Sequence, residues 1–219
     1  MLKCDILDIQ GLNPAIIGMR NPMNSWAKSD SRYVALGKHY DDIQYEIGGA
    51  DLTLMKNLFQ AGTEHRKYLR MIIVWCDITA PLYWWKEFDT YKVGTVANSC
   101  STMHKIHSKE FTMDDFSCEH LFRGTSKNHL TVLNPYEQMQ STIGMLNQCR
   151  LMYLKTKDKE WWWQMIQILP SSYNQKRTVM LNYEVIARIM EQRSDHKLDE
   201  WHQLIDKFEW LPYMKEITS

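Results

Sequence analysis

The stretch PLYWWKEFDTYKVGTVANSCSTMHK, residues 81–105, brings together three kinds of side chain that could do chemistry. Two adjacent tryptophans, Trp84 and Trp85, come first, a dense run of charges follows, and a small polar segment leads to His104. Adjacent indole rings can form one wall of a flat ligand site, and they can equally pack in a core. A serine in a Ser/Thr cluster, such as Ser101, ordinarily caps a helix or a turn. These residues therefore leave both a ligand pocket and ordinary packing open.

A metal site would need histidines, cysteines or carboxylates at ligand spacing. His104 and His107 are three residues apart, and a Cys-Glu-His run follows at 118–120. Neither a CxxC pair nor a second histidine at HxxxH spacing completes this set, so no metal is predicted. The pair Gly48–Gly49 is far from a GxGxxG pattern, and no Rossmann or P-loop fingerprint is present.

The charge balance narrows the class of partners. The chain of 219 residues has 26 lysines and arginines against 26 aspartates and glutamates. Without a net field we expect neither nucleic-acid binding nor attachment to an anionic membrane surface. No apolar run approaches the ~20 residues that a membrane span needs. Acidic residues interrupt the apolar N-terminal stretch, so no signal peptide is predicted.

The cysteine pattern indicates the redox environment. The five cysteines are odd in number, widely spaced and without a CxxC pair. This pattern argues against a disulfide framework and predicts reduced thiols in a cytoplasmic protein.

The hydrophobic pattern predicts more helices than strands. LKCDILDIQG alternates apolar and polar residues like a strand, and the β-branched run from about Leu69 to Thr79 predicts a buried one. Asn13 is a possible N-cap, with Pro14 at the first helical position. Other segments have helical spacing: GGADLTLMKNLFQAG, LYWWKEFDTYKV, residues 135–169 with a break near KTKDKE, RTVMLNYEVIARIMEQR and LDEWHQLIDKFEWL.

The order of these elements predicts the fold class. Residues 21–38 are predicted to be loop-like, and residues 108–134 to be a polar excursion between elements. Strands near the front and a helix-rich C-terminal half predict an α+β domain with an antiparallel or mixed sheet covered by helices. We expect one domain over residues 1–219.

From His65 onward the order of motifs resembles the flavin-dependent thymidylate synthases, the ThyX family. The family's signature, RHRxxSxNExSxRY, follows a strand, an Ala-Pro pair and a short helix, and here Ala80-Pro81 precedes TYKVGTVANSCSTMHK. RHR falls on residues 90–92 and the first signature serine on Thr95. After a one-residue insertion, the signature asparagine and second serine fall on Asn98 and Ser101.

The resemblance continues downstream of the signature. QMIQILP has the place of the family's ARxxLP motif, and Asn182 that of its asparagine. The next helix runs to Arg193, the position of the family's substrate-binding arginine. HKLDEW is similar to the HAQWE motif. Upstream, His65 matches a family histidine.

The resemblance implies an activity and its ligands. In this family dUMP is reductively methylated to dTMP, with methylenetetrahydrofolate as one-carbon donor, FAD as hydride carrier and NADPH as reductant. It implies dUMP and folate as partners and a homotetramer with shared active sites. The WWW run at 161–163 cannot place all three rings on one helix face, so we expect at least one ring to be exposed or at a subunit interface.

The resemblance also implies site residues. It implies Ser101 and Arg193 as the catalytic pair. The residues implied to bind the cofactor are His65, Thr90, Tyr91, Lys92, Asn98, Asn182 and Arg188. The residues implied to bind the substrate are Glu87, Ser101, Lys105 and Arg193.

Several charged residues of the family pattern are replaced here. RHR has become Thr-Tyr-Lys, Met103 stands at the late signature arginine, and Ile166 at the arginine of ARxxLP. A lysine at position 92 keeps a charge but lacks the bidentate fork of arginine. The candidate replacements are Lys105, Lys176 and Arg177. Two other functions therefore stay open: a catalytically lapsed ThyX-fold protein that binds flavin or nucleotide, and a helical protein-interaction module.

Overall fold

The structure is a computed structural model that describes residues 2–35, 43–124 and 134–219. The chain divides into two units, each built from three separate stretches of sequence. The first unit comprises Met1–Lys3, Ile78–Thr90 and Asn98–Arg177, and the second comprises Cys4–Asp77, Tyr91–Ala97 and Thr178–Ser219. No helix among the described residues is long and apolar enough to cross a bilayer. The expectation of one domain over residues 1–219 stays a prediction.

The described residues contain six strands. They are β1 (Lys3–Gln10), β2 (Arg32–Ala35), β3 (Ile43–Glu46), β4 (Ile73–Pro81), β5 (Val96–Ser99) and β6 (Asn174–Asn182). Four of them form a sheet in the order β1-β4-β6-β5, while β2 and β3 form an antiparallel ribbon that pairs Arg32 with Glu46 and Ala35 with Ile43. Along β4, alternate residues are buried, as the two-residue period of a strand requires.

Helices account for most of the remaining structure in the described ranges. They are α1 (Leu12–Arg20), α2 (Gly49–Gln60), α3 (Leu82–Phe88), α4 (Thr102–Lys105), α5 (Pro135–Thr156), α6 (Lys159–Ile168), α7 (Tyr183–Arg193), α8 (Asp199–Glu209) and α9 (Met214–Thr218). The class is α+β with an antiparallel sheet, and the C-terminal half is rich in helix, so both predictions are confirmed.

In the first unit, local signals define the pair α5 and α6. Asn134 and Glu137 form a capping box at the start of α5, with Pro135 at its first position. Lys157 ends α5 in the left-handed conformation, and Asp158 then caps α6. The break predicted near KTKDKE is confirmed. The two helices pack against each other over a core of Ile106, Phe111, Phe116, Ile143, Leu146, Cys149 and Met165.

In the second unit, a buried ion pair fixes the start of α2. The side chains of Arg20 and Asp51 are 5% and 0% exposed, and the Arg20 Nε lies 2.6 Å from Asp51 Oδ1. The hydroxyls of Ser29 and Ser31 each donate to Asp51 Oδ2 at 2.6 Å. Burial alone would raise the pKa of Asp51, but hydrogen bonds from Ser29, Ser31 and Arg20 outweigh it and lower the pKa.

Three predicted boundaries in the second unit are wrong. The helix α1 begins at Leu12 rather than near Pro14, because Gly11 caps it with φ +99° and passes close to the Met71 carbonyl. The predicted strand from Leu69 begins at Ile73, after a 3₁₀ turn over Lys67–Met71. Residues 32–35 of the predicted loop form β2; residues 36–38 lie outside the described part.

One further prediction, that of a helix in the C-terminal half, is corrected by pairing within the sheet. The predicted helix RTVMLNYEVIARIMEQR is a strand up to Asn182 and a helix only from Tyr183, so strands are not confined to the front of the chain. The polar excursion over 108–134 stays a prediction; in its described part, Asn147 holds the backbone of Phe111 with two hydrogen bonds of 2.9 Å. Phe116 is buried beside it. Residues 125–133 lie outside the described part.

Candidate functional site

A cavity of about 1010 Å³ opens in the first unit. One wall is the turn that follows β5, where the Cys100 N–H donates to the Lys176 carbonyl and the Gln175 Nε2 donates to the Cys100 carbonyl, both at 2.9 Å. Ser101 comes next, and its Oγ accepts from the His104 N–H at 3.1 Å, which caps α4. Lys105 lies one helical turn farther and also lines the cavity.

Charged side chains of both signs line this cavity. The cations are Lys3, Lys105, Lys109, Arg123 and Lys176, and the carboxylates are Asp114, Asp115 and Glu119. Lys109 forms an ion pair with Asp115, and this hydrogen bond raises the pKa of the Lys109 ammonium group. Asp115 also accepts from the Thr112 N–H at 2.9 Å, so its carboxylate is held in place.

Aromatic rings form another part of the cavity lining. The rings of Phe111, Phe116 and Tyr173 lie with centroids between 5.6 and 6.4 Å apart. Burial raises the pKa of the Tyr173 hydroxyl, which stays protonated at neutral pH. The cavity thus combines cations, which can bind a phosphate, with an aromatic surface, which can bind a planar ring.

A second cluster, which we call the Arg193 cluster, consists of Tyr91, Arg193 and Trp201 in the second unit. The Arg193 Nε donates to the Tyr91 hydroxyl oxygen at 3.0 Å. The guanidinium carbon lies 4.8 Å from the centroid of the Trp201 ring and 5.7 Å from that of Tyr91. The Tyr91 hydroxyl donates to Gln192 Oε1 at 3.2 Å. The hydrogen bond from Nε and the two aromatic faces therefore orient the guanidinium.

A buried carboxylate also lies in the second unit. Glu184 is 3.4 Å from the Arg66 Nε, and both side chains are nearly buried. Burial raises the pKa of Glu184, and the charges of Arg66, Arg70 and Arg188 oppose this effect. Because Glu184 is in the first turn of α7, we regard this pair as support for the helix that carries Arg193.

The fold was compared with proteins of known structure. No protein-family model and no curated protein matches the sequence. Thymidylate synthase X (ThyX) from Helicobacter pylori with FAD and dUMP matches with a TM-score of 0.69 and 15% identity, over 100% of this chain and 97% of that chain. A second structure of the same enzyme, also with FAD and dUMP, gives 0.68 and 16% over 99% and 97%. The UMP/dUMP methylase PolB from Streptomyces cacaoi, bound with 5-Br dUMP, gives 0.61 and 13% over 100% and 93%.

This chain has the ThyX fold. The likeness extends over its whole length, although the sequences are only 13–16% identical to these structures. At such identity the likeness shows the fold alone, and any chemistry depends on this chain's own side chains.

Among the predicted site residues of the first unit, two share the cavity. Ser101 and Lys105 both line it. Glu87 is half-buried at the end of α3, and its carbonyl accepts from the Thr90 hydroxyl at 2.7 Å. Asn98 is exposed in β5. The roles of these residues toward a ligand stay predictions.

Among the predicted site residues of the second unit, Tyr91 and Arg193 are in contact. Asn182 is buried and caps α7, because its Oδ1 accepts from the Val185 N–H at 3.0 Å. The others, Lys92, Arg188 and His65, are exposed, and the His65 N–H donates to the Gly62 carbonyl in the turn after α2. Their roles toward a cofactor likewise stay predictions.

Packing decides two alternatives that the sequence left open, and it is consistent with the expectation for the WWW run. Trp84 and Trp85 are 0% and 1% exposed and pack with Phe88, so they belong to the core and form no ligand wall. Arg177 donates to Asp89 Oδ1 at 2.8 Å and lies 4.2 Å over the Trp85 ring, which gives it a structural role. Trp163 is 43% exposed, as expected for at least one ring of WWW.

Some site residues were missed by sequence reasoning. Tyr173 and Lys109 join the cavity only through the tertiary fold, and neither stands in a motif that would single it out. Trp201 ends the HKLDEW segment, eight residues after Arg193. This short separation was a weak indication that the two side chains could be in contact. No group of three or more metal-binding side chains is found among the described residues.

Proposed function

We propose that this protein is a flavin-dependent thymidylate synthase-like enzyme that reductively methylates dUMP to dTMP. The observation that carries the proposal is the likeness of the whole chain to H. pylori ThyX, a protein whose structures contain FAD and dUMP. The likeness to PolB, a UMP/dUMP methylase bound with 5-Br dUMP, supports a uridylate as substrate.

The donor set of this chain suits such ligands. The first-unit cavity offers lysine and arginine cations beside aromatic rings, which is the chemistry that a nucleotide or a flavin dinucleotide requires. In the proposal Ser101 and Lys105 bind the substrate in this cavity. Arg193 contributes a guanidinium whose orientation is set by Tyr91 and Trp201. A preoriented arginine loses less conformational freedom when it binds an anion.

The cofactor would carry the redox step. FAD, reduced by NADPH, supplies the hydride, and methylenetetrahydrofolate supplies the carbon. The chain's own residues would bind and orient the pyrimidine. The residues that we propose to contact the cofactor are His65, residues 90–92, Asn98, Asn182 and Arg188. Lys92 would neutralise phosphate charge as a single exposed cation.

A direct assay tests the proposal. The purified protein is incubated with dUMP, methylenetetrahydrofolate, FAD and NADPH, and dTMP is measured by mass spectrometry. We expect dTMP with the wild type, and a large loss with Ser101→Ala or Arg193→Ala. Ser194→Ala and Arg32→Ala, at exposed positions outside the site, serve as matched controls. The absence of dTMP with retained flavin would contradict turnover.

The second candidate function is binding of flavin or nucleotide without catalysis of the methylation. The specific observation that favours it is that residues at the replaced RHR positions engage their neighbours: the Thr90 hydroxyl donates to the Glu87 carbonyl, and the Tyr91 hydroxyl accepts from Arg193. Such a protein would bind flavin or nucleotide without methylation. Retention of FAD and binding of dUMP without any dTMP would establish it.

The proposal includes a homotetramer with shared active sites. Exposed apolar side chains on and beside α5 and α6 support a subunit interface, among them Met145, Leu151 and Trp163. Sedimentation analysis at micromolar concentration tests it. A species four times the mass of the 26.1 kDa chain is expected, and a monomer at all concentrations would contradict it.

A further inference from the structure

Two buried cysteines are in contact in the second unit. Cys4 is on β1 and Cys76 is on β4, and these two strands are neighbours in the four-stranded sheet. The residues are 6% and 0% exposed, and both thiols are free. The two side chains are hydrogen bonded to each other. The fold thus brings together two thiols whose residues are far apart in sequence.

Both cysteines point to the buried side of the sheet. Burial alternates along β4, so Cys76 shares its side of the strand with Val74 and Ile78. Cys4 is the one buried residue among the eight of β1. Residues that face each other on adjacent strands have α-carbons about 4.5–5.5 Å apart, within the range of about 4.4–6.8 Å that a disulfide requires. The sheet therefore holds the two thiols in a position from which they can be joined.

The hydrogen bond between the thiols makes one of them more reactive than the other. The hydrogen bond from the Cys76 thiol lowers the pKa of Cys4, although burial and the charge of Asp5 oppose this effect. The charge of Lys207, on α8, also lowers the pKa of Cys4. The same hydrogen bond raises the pKa of Cys76, and burial raises it further. Because the thiolate is the nucleophile in thiol chemistry, Cys4 is the residue that reacts first.

The place of Cys4 in the sheet gives a reagent access to it. Strand β1 comes first in the order of the four-stranded sheet, so among the described residues it pairs on one side only. Its residues other than Cys4 are exposed or half-buried. Opening of β1 therefore breaks few buried contacts, and such local opening brings buried groups of a folded protein into contact with solvent.

We propose that Cys4 and Cys76 are a redox modification site, which a small-molecule disulfide such as oxidised glutathione converts to a disulfide between β1 and β4. The Cys4 thiolate attacks one sulfur of the oxidant, which forms a mixed disulfide and releases one thiolate. Cys76 then loses its proton and attacks the Cys4 sulfur, which releases the second thiolate. The protein loses two protons and two electrons, and the oxidant is reduced to two thiols.

The disulfide closes a loop that contains α1, α2 and the ribbon of β2 and β3. The loop has about 70 residues, and closing a loop of this length strongly restricts the unfolded chain. The oxidised protein should therefore melt about 5–10 °C above the reduced protein. This inference does not rest on the proposed function, since it involves neither flavin nor nucleotide.

Peptide mapping of the full chain tests the proposal. The wild type is incubated with oxidised glutathione, without FAD or dUMP, and the remaining thiols are alkylated before trypsin digestion and mass spectrometry. Trypsin gives residues 4–20 and 71–86 as separate peptides with one cysteine each. We expect these peptides joined by a disulfide that dithiothreitol cleaves. The peptide of residues 93–105 contains the exposed Cys100, whose glutathione adduct shows that the oxidant reacted with the protein.

Matched variants and melting curves define the outcomes. Cys149→Ala removes another buried cysteine and should leave the cross-link unchanged, whereas Cys4→Ser and Cys76→Ser should each abolish it. Peptides 4–20 and 71–86 that stay unlinked while Cys100 is modified would overturn the proposal. A cross-linked protein that melts below the reduced protein would also overturn it, because the disulfide would then not fit the folded sheet.

Discussion

Replacing Arg193 with lysine separates the charge of this side chain from its shape. Lysine keeps a cation near the end of α7 but cannot reproduce the Nε–H that Tyr91 accepts at 3.0 Å. It also lacks the planar guanidinium that lies 4.8 Å from the Trp201 ring centroid. If the Arg193 cluster orients a guanidinium for an anion, both stability and ligand affinity should fall.

The expected magnitudes follow from the two interactions that lysine cannot make. A hydrogen bond from a charged donor contributes about 1.5–3 kcal/mol, and the lower end applies because Arg193 is only half-buried. The loss of stacking on Trp201 adds about 0.5 kcal/mol. The free energy of unfolding should therefore fall by about 2 kcal/mol. Loss of the oriented guanidinium, which we propose to contribute to substrate binding, should raise the Kd for dUMP about 10- to 30-fold.

Two assays on the same protein test the Arg193→Lys prediction. Urea unfolding gives the free energy, and a dUMP titration followed by flavin absorbance gives the Kd. Arg32→Lys, at an exposed position of β2, should change neither. A variant with lower stability but unchanged Kd would show that Arg193 only supports the fold. A variant unchanged in both would refute the cluster's role altogether.

Three further predictions concern the second unit. Asp51→Asn leaves the buried Arg20 without its carboxylate and should lower the free energy of unfolding by about 3 kcal/mol in chemical denaturation; a cost under about 1 kcal/mol would contradict the burial of the pair. Because the folded-state pKa of Asp51 is lowered below its ordinary value of 3.8, its stabilisation is complete above that pH and is lost as the pH falls through the folded-state pKa. The free energy of unfolding should therefore fall less between about pH 6 and about pH 3 in Asp51→Asn than in the wild type. Equal decreases in the two proteins would contradict the lowered pKa of Asp51. Gly94→Ala should destabilise by about 2 kcal/mol, since φ is +78° and a Cβ would lie 2.3 Å from Asn182 Nδ2. In thermal unfolding Gly49→Ala, with open space around its Cβ, should be neutral or stabilising, and equal melting temperatures for the two variants would refute the steric reasoning.

The sequence predicted the elements whose signals are local. The boundary between α5 and α6 is set by Lys157 and Asp158, which the KTKDKE segment already indicated. By contrast, the first half of RTVMLNYEVIARIMEQR has an apolar spacing that suits a helix as well as a strand. Its pairing within the sheet decides the outcome, and that pairing joins residues far apart in sequence.

In the candidate site, too, contacts between residues close in sequence could be predicted, and contacts between distant residues could not. Ser101 and Lys105, four residues apart, could be expected to lie on one turn, and they do. The contact between Tyr91 and Arg193 spans 102 residues and depends on the fold. Trp84 and Trp85 illustrate the converse, because their types suggested a ligand wall and their burial makes them core residues.

The central claim, a ThyX-fold protein that binds flavin and dUMP, is tested most directly by an absorbance spectrum. The purified protein is mixed with FAD, the excess is removed, and spectra are recorded before and after adding dUMP. The account predicts a retained flavin spectrum that shifts with dUMP, and loss of the shift in Arg193→Ala. A protein that retains no flavin at high concentration would contradict the claim and leave the ThyX fold without its chemistry.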